Sequence, residues 1–264
     1  MKNRIAIIGC GNIGISLLNG LLKEQNIKAS QITVTRRNTG ELSFLKDSGV
    51  KITSDNVKAV NESEIIIIAV KPYNILGVLD EIRPVLVPSR HILVSVTAGT
   101  TIREIQSHLN VSIPVFRAMP NISASVARSV SCISHGQVPE NDTRKVLQLF
   151  NNLGTTMIID EELMQSATIL GACGVAYVLR FIRAMIQGGI QIGFDAKTAS
   201  EIVNQTVKGA AELLIESQTH PESEIDKVTT PKGCTIVGLN EMEHNGFSSS
   251  LIKGIVASYE KIEK

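Results

Sequence analysis

Tryptophan is missing from this 264-residue chain, and aromatic residues make up only 3% of it. Such a sequence offers no array of rings on which bases could stack. Its formal net charge of +1 supplies no basic field for a nucleic acid. Cysteine is scarce too: Cys10, Cys132, Cys173 and Cys234 stand far apart, with no Cys-x-x-Cys pair. That spacing argues against a disulfide framework or structural zinc and for reduced thiols in a cytoplasmic protein. His91, His108, His135, His220 and His244 lack metal-ligand spacing and are expected at the surface or in local caps, so no metal is expected. No long uncharged run is present either. The uncharged stretch from Gln165 to Leu179 is short and contains Gln165, Ser166 and Thr168, which disfavours a membrane span. The opening MKNRIAIIGCG is broken by glycines before a signal-peptide pattern develops.

What is present is an ordinary hydrophobic fraction of 43%, enough for a substantial core and two modest domains. Short β-rich runs alternate with helical patterns through the first part. RIAII, QITVT, a strand near VKI, EIIIIAV, HILVSV, PVFRAM, SVSCISH and TTMIID read as strands, with ELSFLKDSG and DTRKVLQLFNNLG among the helices. The isoleucine run is a strand buried on both faces. The pattern predicts an α/β fold, an N-terminal Rossmann-like doubly wound parallel sheet over residues 1–160. From 161 to 264 the chain reads as all-helical. One long helix or two closely joined ones span 161–187, a helix over 198–217 is capped by Thr198 with Glu201, and His220 and Pro221 mark its stop. Further helices are expected near 235–244 and 249–262. Ile169, Leu170, Cys173, Tyr177, Phe181, Met185 and Ile186 form a helical stripe that serves either the core of one subunit or a subunit interface.

GCGNIG follows the first strand and opens a helix, the context a Gly-x-Gly-x-x-Gly signal needs. Gly9 permits the tight turn, Gly11 a close backbone approach to a pyrophosphate, and Gly14 tight helix packing, with the Asn12 and Ile13 amides in the helix's first turn. After the second strand the chain offers Arg36 and Arg37 rather than a carboxylate, which favours NADPH, with NADH as the alternative. AVKPYN, SVTAG and RAMPN follow other strands and point to one cleft. TTPKGCT, residues 229–235, reads as a shaped turn before a helix, either a plain cap or a neutral site where amides and a hydroxyl bind a carboxylate.

The order of GCGNIG, AVKP, SVTAG, RAMPN, AYV, QTVKGAAELL, HPES and DKVTTPKGCTIVGLNEMEHNGF closely resembles the pyrroline-5-carboxylate reductase family over nearly the whole chain. The resemblance implies a C-terminal helical dimerisation domain, with homodimers that assemble further in some members. It also implies reduction of the cyclic imine 1-pyrroline-5-carboxylate to L-proline with NADPH or NADH. On the cofactor side it points to Asn56, Ala69, Val70, Lys71, Pro72, Ala98 and Asn121. In the turn it assigns Thr230, Gly233 and Cys234 to the substrate carboxylate and Thr235 to the imine nitrogen. The chain departs from the family pattern in GACGVAY, where Val175 replaces proline, and in TPKGCT, where Lys232 replaces glycine and Cys234 a small or hydroxylated residue. Those departures keep two alternatives open: a reductase of another small imino or oxo acid, and a catalytically weak NADPH-binding regulator.

Overall fold

The computed structural model describes residues 4–23 and 26–262. Its strands are β1 (Ile5–Ile8), β2 (Ile32–Thr35), β3 (Lys51–Thr53), β4 (Ile65–Ile68), β5 (Ile92–Ser95), β6 (Val115–Met119), β7 (Ser129–His135) and β8 (Gly154–Ile158). They form one sheet in the order β3-β2-β1-β4-β5-β6-β7-β8. Every pairing is parallel except β6 with β7. Successive strand residues face opposite sides of a sheet, and the sequence exploits this fully. Ile5, Ile7, Ile65 and Ile67 pack into one core layer, while Ala6, Ile8, Ile66 and Ile68 pack into the other. Apolar residues at every position therefore force cover on both faces.

That cover comes from α1 (Asn12–Lys23), α2 (Asn56–Asn61), α3 (Ile75–Ile82), α4 (Ile102–Leu109) and α5 (Glu140–Asn151). Leu17, Leu18 and Leu21 of α1 and Val146, Leu149 and Phe150 of α5 fill the first layer. Ile75, Leu79 and Ile82 of α3, with Ile102, Ile105 and Leu109 of α4, fill the second. Thr101 starts α4 with a capping box, its side chain accepting from Glu104 N while the Glu104 carboxylate takes the Thr101 amide. The chain leaves β1 toward β2 and β3, then returns to place β4 on the other side of β1. The carboxyl ends of β1 and β4 thus flank the crevice where doubly wound sheets bind ligands.

Several local expectations are corrected. ELSFLKDSG forms no α-helix; a 3-10 turn runs over Thr39–Leu45. The helix expected from 161 is interrupted: a 3-10 turn at Glu161–Leu163 and α6 (Met164–Ala167) lead into a π-helical segment, Thr168–Cys173, before α7 (Gly174–Gln191). Thr168 Oγ1 donates back to Met164 O at 2.8 Å, and Asn121 Nδ2 donates to Gly171 O within the π-helical segment at 2.9 Å. Of the two roles expected for the histidines, His91 takes the local one and is buried rather than at the surface. It is 1% exposed and its Nδ1 accepts Val87 N at 2.9 Å.

The described chain divides into two compact units, residues 1–175 and 176–264. In the second, α8 (Ala196–Ser217), α9 (Pro221–Val228), α10 (Cys234–His244) and α11 (Phe247–Ile262) follow α7. Asp195, not Thr198, caps α8. Its carboxylate, a stronger acceptor than a hydroxyl, takes Lys197 N at 3.0 Å and Thr198 N at 3.1 Å, so the helix begins earlier than the Thr198 signal suggests. His220 and Pro221 start α9 rather than stop α8, with His220 Nδ1 accepting Glu222 N at 3.2 Å. Gln218, in left-handed conformation, ends α8. Tyr177 donates its hydroxyl to Ser258 Oγ at 2.7 Å and Phe181 meets Phe247 with ring centres 6.1 Å apart, which ties α7 to α11. Most of this unit's large apolar side chains are nevertheless exposed, among them Val178, Leu179, Leu213, Val237 and Ile252.

Candidate active site

The glycine turn joins β1 to α1. Gly9 has φ +89°, and a Cβ there would lie 2.5 Å from Val70 Cγ1 and 3.0 Å from Ala69 O, so both conformation and space require glycine. A Cβ at Gly11 meets nothing within 4 Å, which leaves its backbone open to a ligand. Gly14 packs against the carbonyl of Gly9, where a Cβ would come within 2.9 Å. By helix geometry the first-turn amides of α1, at Asn12, Ile13 and Gly14, have no intrahelical acceptor. Open backbone, free amides and a helix N-terminus fit a pyrophosphate. Cys10, between the glycines, adds no charge, because burial pushes its thiol pKa up to about 11 despite the opposing pull of Arg36.

Four strand ends converge on this turn. Gly9 N donates to Thr35 Oγ1 at 3.2 Å, and Thr35 Oγ1 donates to Asn56 Oδ1 at 2.6 Å. Asn56 Nδ2 continues to Glu81 Oε2 at 2.7 Å. Arg36 Nη1 donates to Cys10 O at 2.9 Å and Nη2 pairs with the Glu41 carboxylate, while Arg37 is exposed. Thr97 Oγ1 reaches Val70 O at 3.1 Å, which holds the ends of β4 and β5 together just before Ala98. Gly9, Gly11, Asn12, Ile13, Gly14, Arg36, Asn56, Ala69 and Val70 therefore share one region. Lys71 and Pro72 are exposed beyond β4, and Ala98 is half-buried beyond β5. Asn121 stands apart in its bonding. Its Oδ1 caps Ser123 N at 2.9 Å and its Nδ2 is committed to Gly171 O.

The second unit carries the TTPKGCT turn between α9 and α10. Gly233 N donates to Thr230 O at 2.9 Å. The left-handed residue is Lys232, φ +59°, and Gly233 itself is extended with φ −72°. Thr230, Cys234 and Thr235 are exposed, with Cys234 and Thr235 in the first turn of α10, where amides lack intrahelical acceptors. Thr229 is turned away, its Oγ1 donating to Ile225 O at 2.7 Å.

Residue-type reasoning missed Glu41 and Glu81, and it took Thr35 and Thr97 as members of strand-end runs without the bonds they make. A polar residue at the last or next position of an otherwise apolar strand is the available signal for the two threonines. The carboxylates carry no such signal, because only the fold brings them to their partners.

This crevice defines a dinucleotide-binding oxidoreductase of the Rossmann class. Residues 4–99 match the family described as NADP oxidoreductase coenzyme F420-dependent, and residues 161–264 match pyrroline-5-carboxylate reductase dimerisation. Pyrroline-5-carboxylate reductase 1 of Dictyostelium discoideum is 44% identical over 98% of this chain, which spans 49% of that relative's length. Pyrroline-5-carboxylate reductase 2 of the same organism is also 44% identical, over all of this chain and 94% of the relative. Among solved structures, Plasmodium falciparum pyrroline carboxylate reductase with NADP bound superposes with a TM-score of 0.90 at 27% identity, covering 99% of this chain and 97% of that one. The chain belongs to the pyrroline-5-carboxylate reductase family.

Proposed function

We infer that this chain reduces 1-pyrroline-5-carboxylate to L-proline and uses NADPH in preference to NADH. The observation that carries the reading is the glycine cradle with open backbone at Gly11, beside a strand end bearing Arg36 and Arg37, in a member of this family. Bound NADPH supplies the hydride. The open backbone of Gly11 and the amides of Asn12 through Gly14 hold the pyrophosphate, Arg36 and Arg37 hold the ribose 2'-phosphate, and Asn56, Ala69, Val70, Lys71, Pro72, Ala98 and Asn121 complete the cofactor side. In the second unit, Thr230 with the backbone of Gly233 and Cys234 holds the substrate carboxylate. Thr235 hydrogen-bonds the imine nitrogen or positions water there; a neutral hydroxyl is too weak an acid to be the proton reservoir. Purified protein incubated with pyrroline-5-carboxylate and each coenzyme tests this, proline being measured by amino-acid analysis. Coenzyme binding without proline formation would defeat it. Lys232 at the substrate turn is the reason to include other cyclic imines and small oxo acids in the same assay, and turnover of one of those alone would move the chain to the second reading.

The working form is a homodimer built by residues 161–264, with residues 1–160 as the dinucleotide domain, in the cytoplasm. Support comes from the dimerisation family match and from the exposed apolar side chains of the second unit. The helical run Glu161–Gln191 is long and apolar enough to cross a membrane by length and composition, and we assign its apolar face to a second copy instead. Sedimentation showing a monomer at every concentration would reject the dimer, and co-sedimentation with lipid vesicles would reject the assignment of that face.

A further inference from the structure

The two arginines after β2 are not equivalent. Arg36 is anchored twice: Nη1 to the carbonyl of Cys10 inside the glycine turn, and Nη2 to the carboxylate of Glu41. Arg37 is exposed and makes no hydrogen bond or ion pair among the described residues. Glu41 reaches Arg36 from the 3-10 turn Thr39–Leu45, which begins at Asn38, whose side chain accepts Gly40 N at 3.1 Å. The Glu41 side chain is half exposed and that of Arg36 is 29% exposed, so the pair stands at the open edge of the crevice rather than in the core. The bond to Cys10 keeps Arg36 at the glycine turn independently of Glu41.

Resting on the reading of this strand end as the coenzyme's ribose site, we propose that Glu41 is a specificity-determining residue that narrows the preference for NADPH by competing with the ribose 2'-phosphate for Arg36. A 2'-phosphate arriving at Arg36 meets a carboxylate already paired there, and like charges at such separations repel. Glu41 must turn away or share the guanidinium. NADH brings a 2'-hydroxyl instead, which carries no charge and can donate to the same carboxylate. Arg37, with no carboxylate partner, keeps the net preference on the phosphate side.

Glu41→Gln removes the charge and keeps the shape. Calorimetric titration of the full-length protein with NADPH and NADH is expected to show NADPH binding tightened about three- to tenfold in the variant, with NADH changed by less than about twofold or weakened. Titration with 2',5'-ADP and 5'-AMP should repeat the contrast without the nicotinamide half. Circular dichroism checks that the variant folds, and Glu41→Ala provides a second neutral variant. Equal changes for both coenzymes, or weaker NADPH binding in both variants, would overturn the proposal and make Glu41 a support for Arg36. If the unaltered protein binds neither coenzyme, the ribose-site reading falls and takes this one with it; if it binds both and only the contrast is missing, the proposal alone falls.

Discussion

Thr230 occupies the space that a side chain on Gly233 would need: its Oγ1 lies 2.5 Å, and its carbonyl oxygen 2.9 Å, from the position of a Cβ at 233. Glycine is thus required there by close approach, not by its torsions. Gly233→Ala must displace Thr230, and if this turn holds the substrate carboxylate, the KM for the imine should rise by about tenfold, the loss of one hydrogen bond to a charged group. Steady-state kinetics with a parallel coenzyme titration checks this. An unchanged KM in a folded variant would detach the turn from the substrate.

Thr235 and Thr230 should separate kinetically. Thr235→Ala is expected to slow the hydride step by roughly one to two powers of ten while coenzyme affinity holds, and Thr230→Ala to act chiefly on substrate binding. Single-turnover reduction with a deuterated nicotinamide isolates the hydride step from product release. An unaltered hydride rate in Thr235→Ala removes that residue from the chemistry.

Lys232 adopts φ +59°, a conformation that crowds the Cβ of any L-residue. Lys232→Gly should relieve strain worth about 1 kcal/mol, offset in part by the greater freedom of glycine in the unfolded chain. The thermal midpoint, compared at fixed protein concentration, is expected to rise. A lower midpoint would mean that the lysine side chain contributes contacts that outweigh its backbone cost.

His91 supplies a pH dependence. Burial first, and then the positive charge of Arg90, hold its pKa below the ordinary histidine value. Its Nδ1 accepts the Val87 amide, so protonation would set two donors against each other. The unfolded chain takes up the proton more readily than the folded one. The stabilisation is therefore complete above the unfolded pKa of about 6.5 and is lost as pH falls through that value toward the lower folded one. The thermal midpoint should drop on acidification through this window, and more steeply than in His91→Gln. Parallel slopes in the two proteins would exclude His91 as the cause.

The strands and the glycine turn were legible because their signals are local. Four consecutive isoleucines can be satisfied only between two apolar layers, and GCGNIG carries its own geometry between a strand and a helix. The pairs that shape the site were not legible, because Arg36 meets Glu41 and Asn56 meets Glu81 only after the chain has folded. Thr198 misled for a related reason. Its capping signal was real in composition, but Asp195, three residues earlier, accepts the Lys197 and Thr198 amides and starts the helix ahead of it. The π-helical segment followed from no propensity in Thr168–Cys173 alone; part of its support comes from Asn121, fifty residues away.

Arg117 lies buried in β6, with its Nη1 3.0 Å from Glu161 Oε1, and the same oxygen accepts Ile102 N at 2.7 Å. The dimerisation-family match begins at residue 161, yet the carboxylate of that first residue completes an ion pair of the sheet. A polypeptide severed between Asp160 and Glu161 would leave a guanidinium enclosed without its counter-ion and the first amide of α4 without an acceptor, a loss on the order of 3 to 5 kcal/mol. Exchanging C-terminal halves between relatives would carry the same hazard. A chimaera stays whole only if the incoming segment brings a carboxylate to that position, so Glu161 belongs electrically with the sheet it neutralises rather than with the helices it precedes.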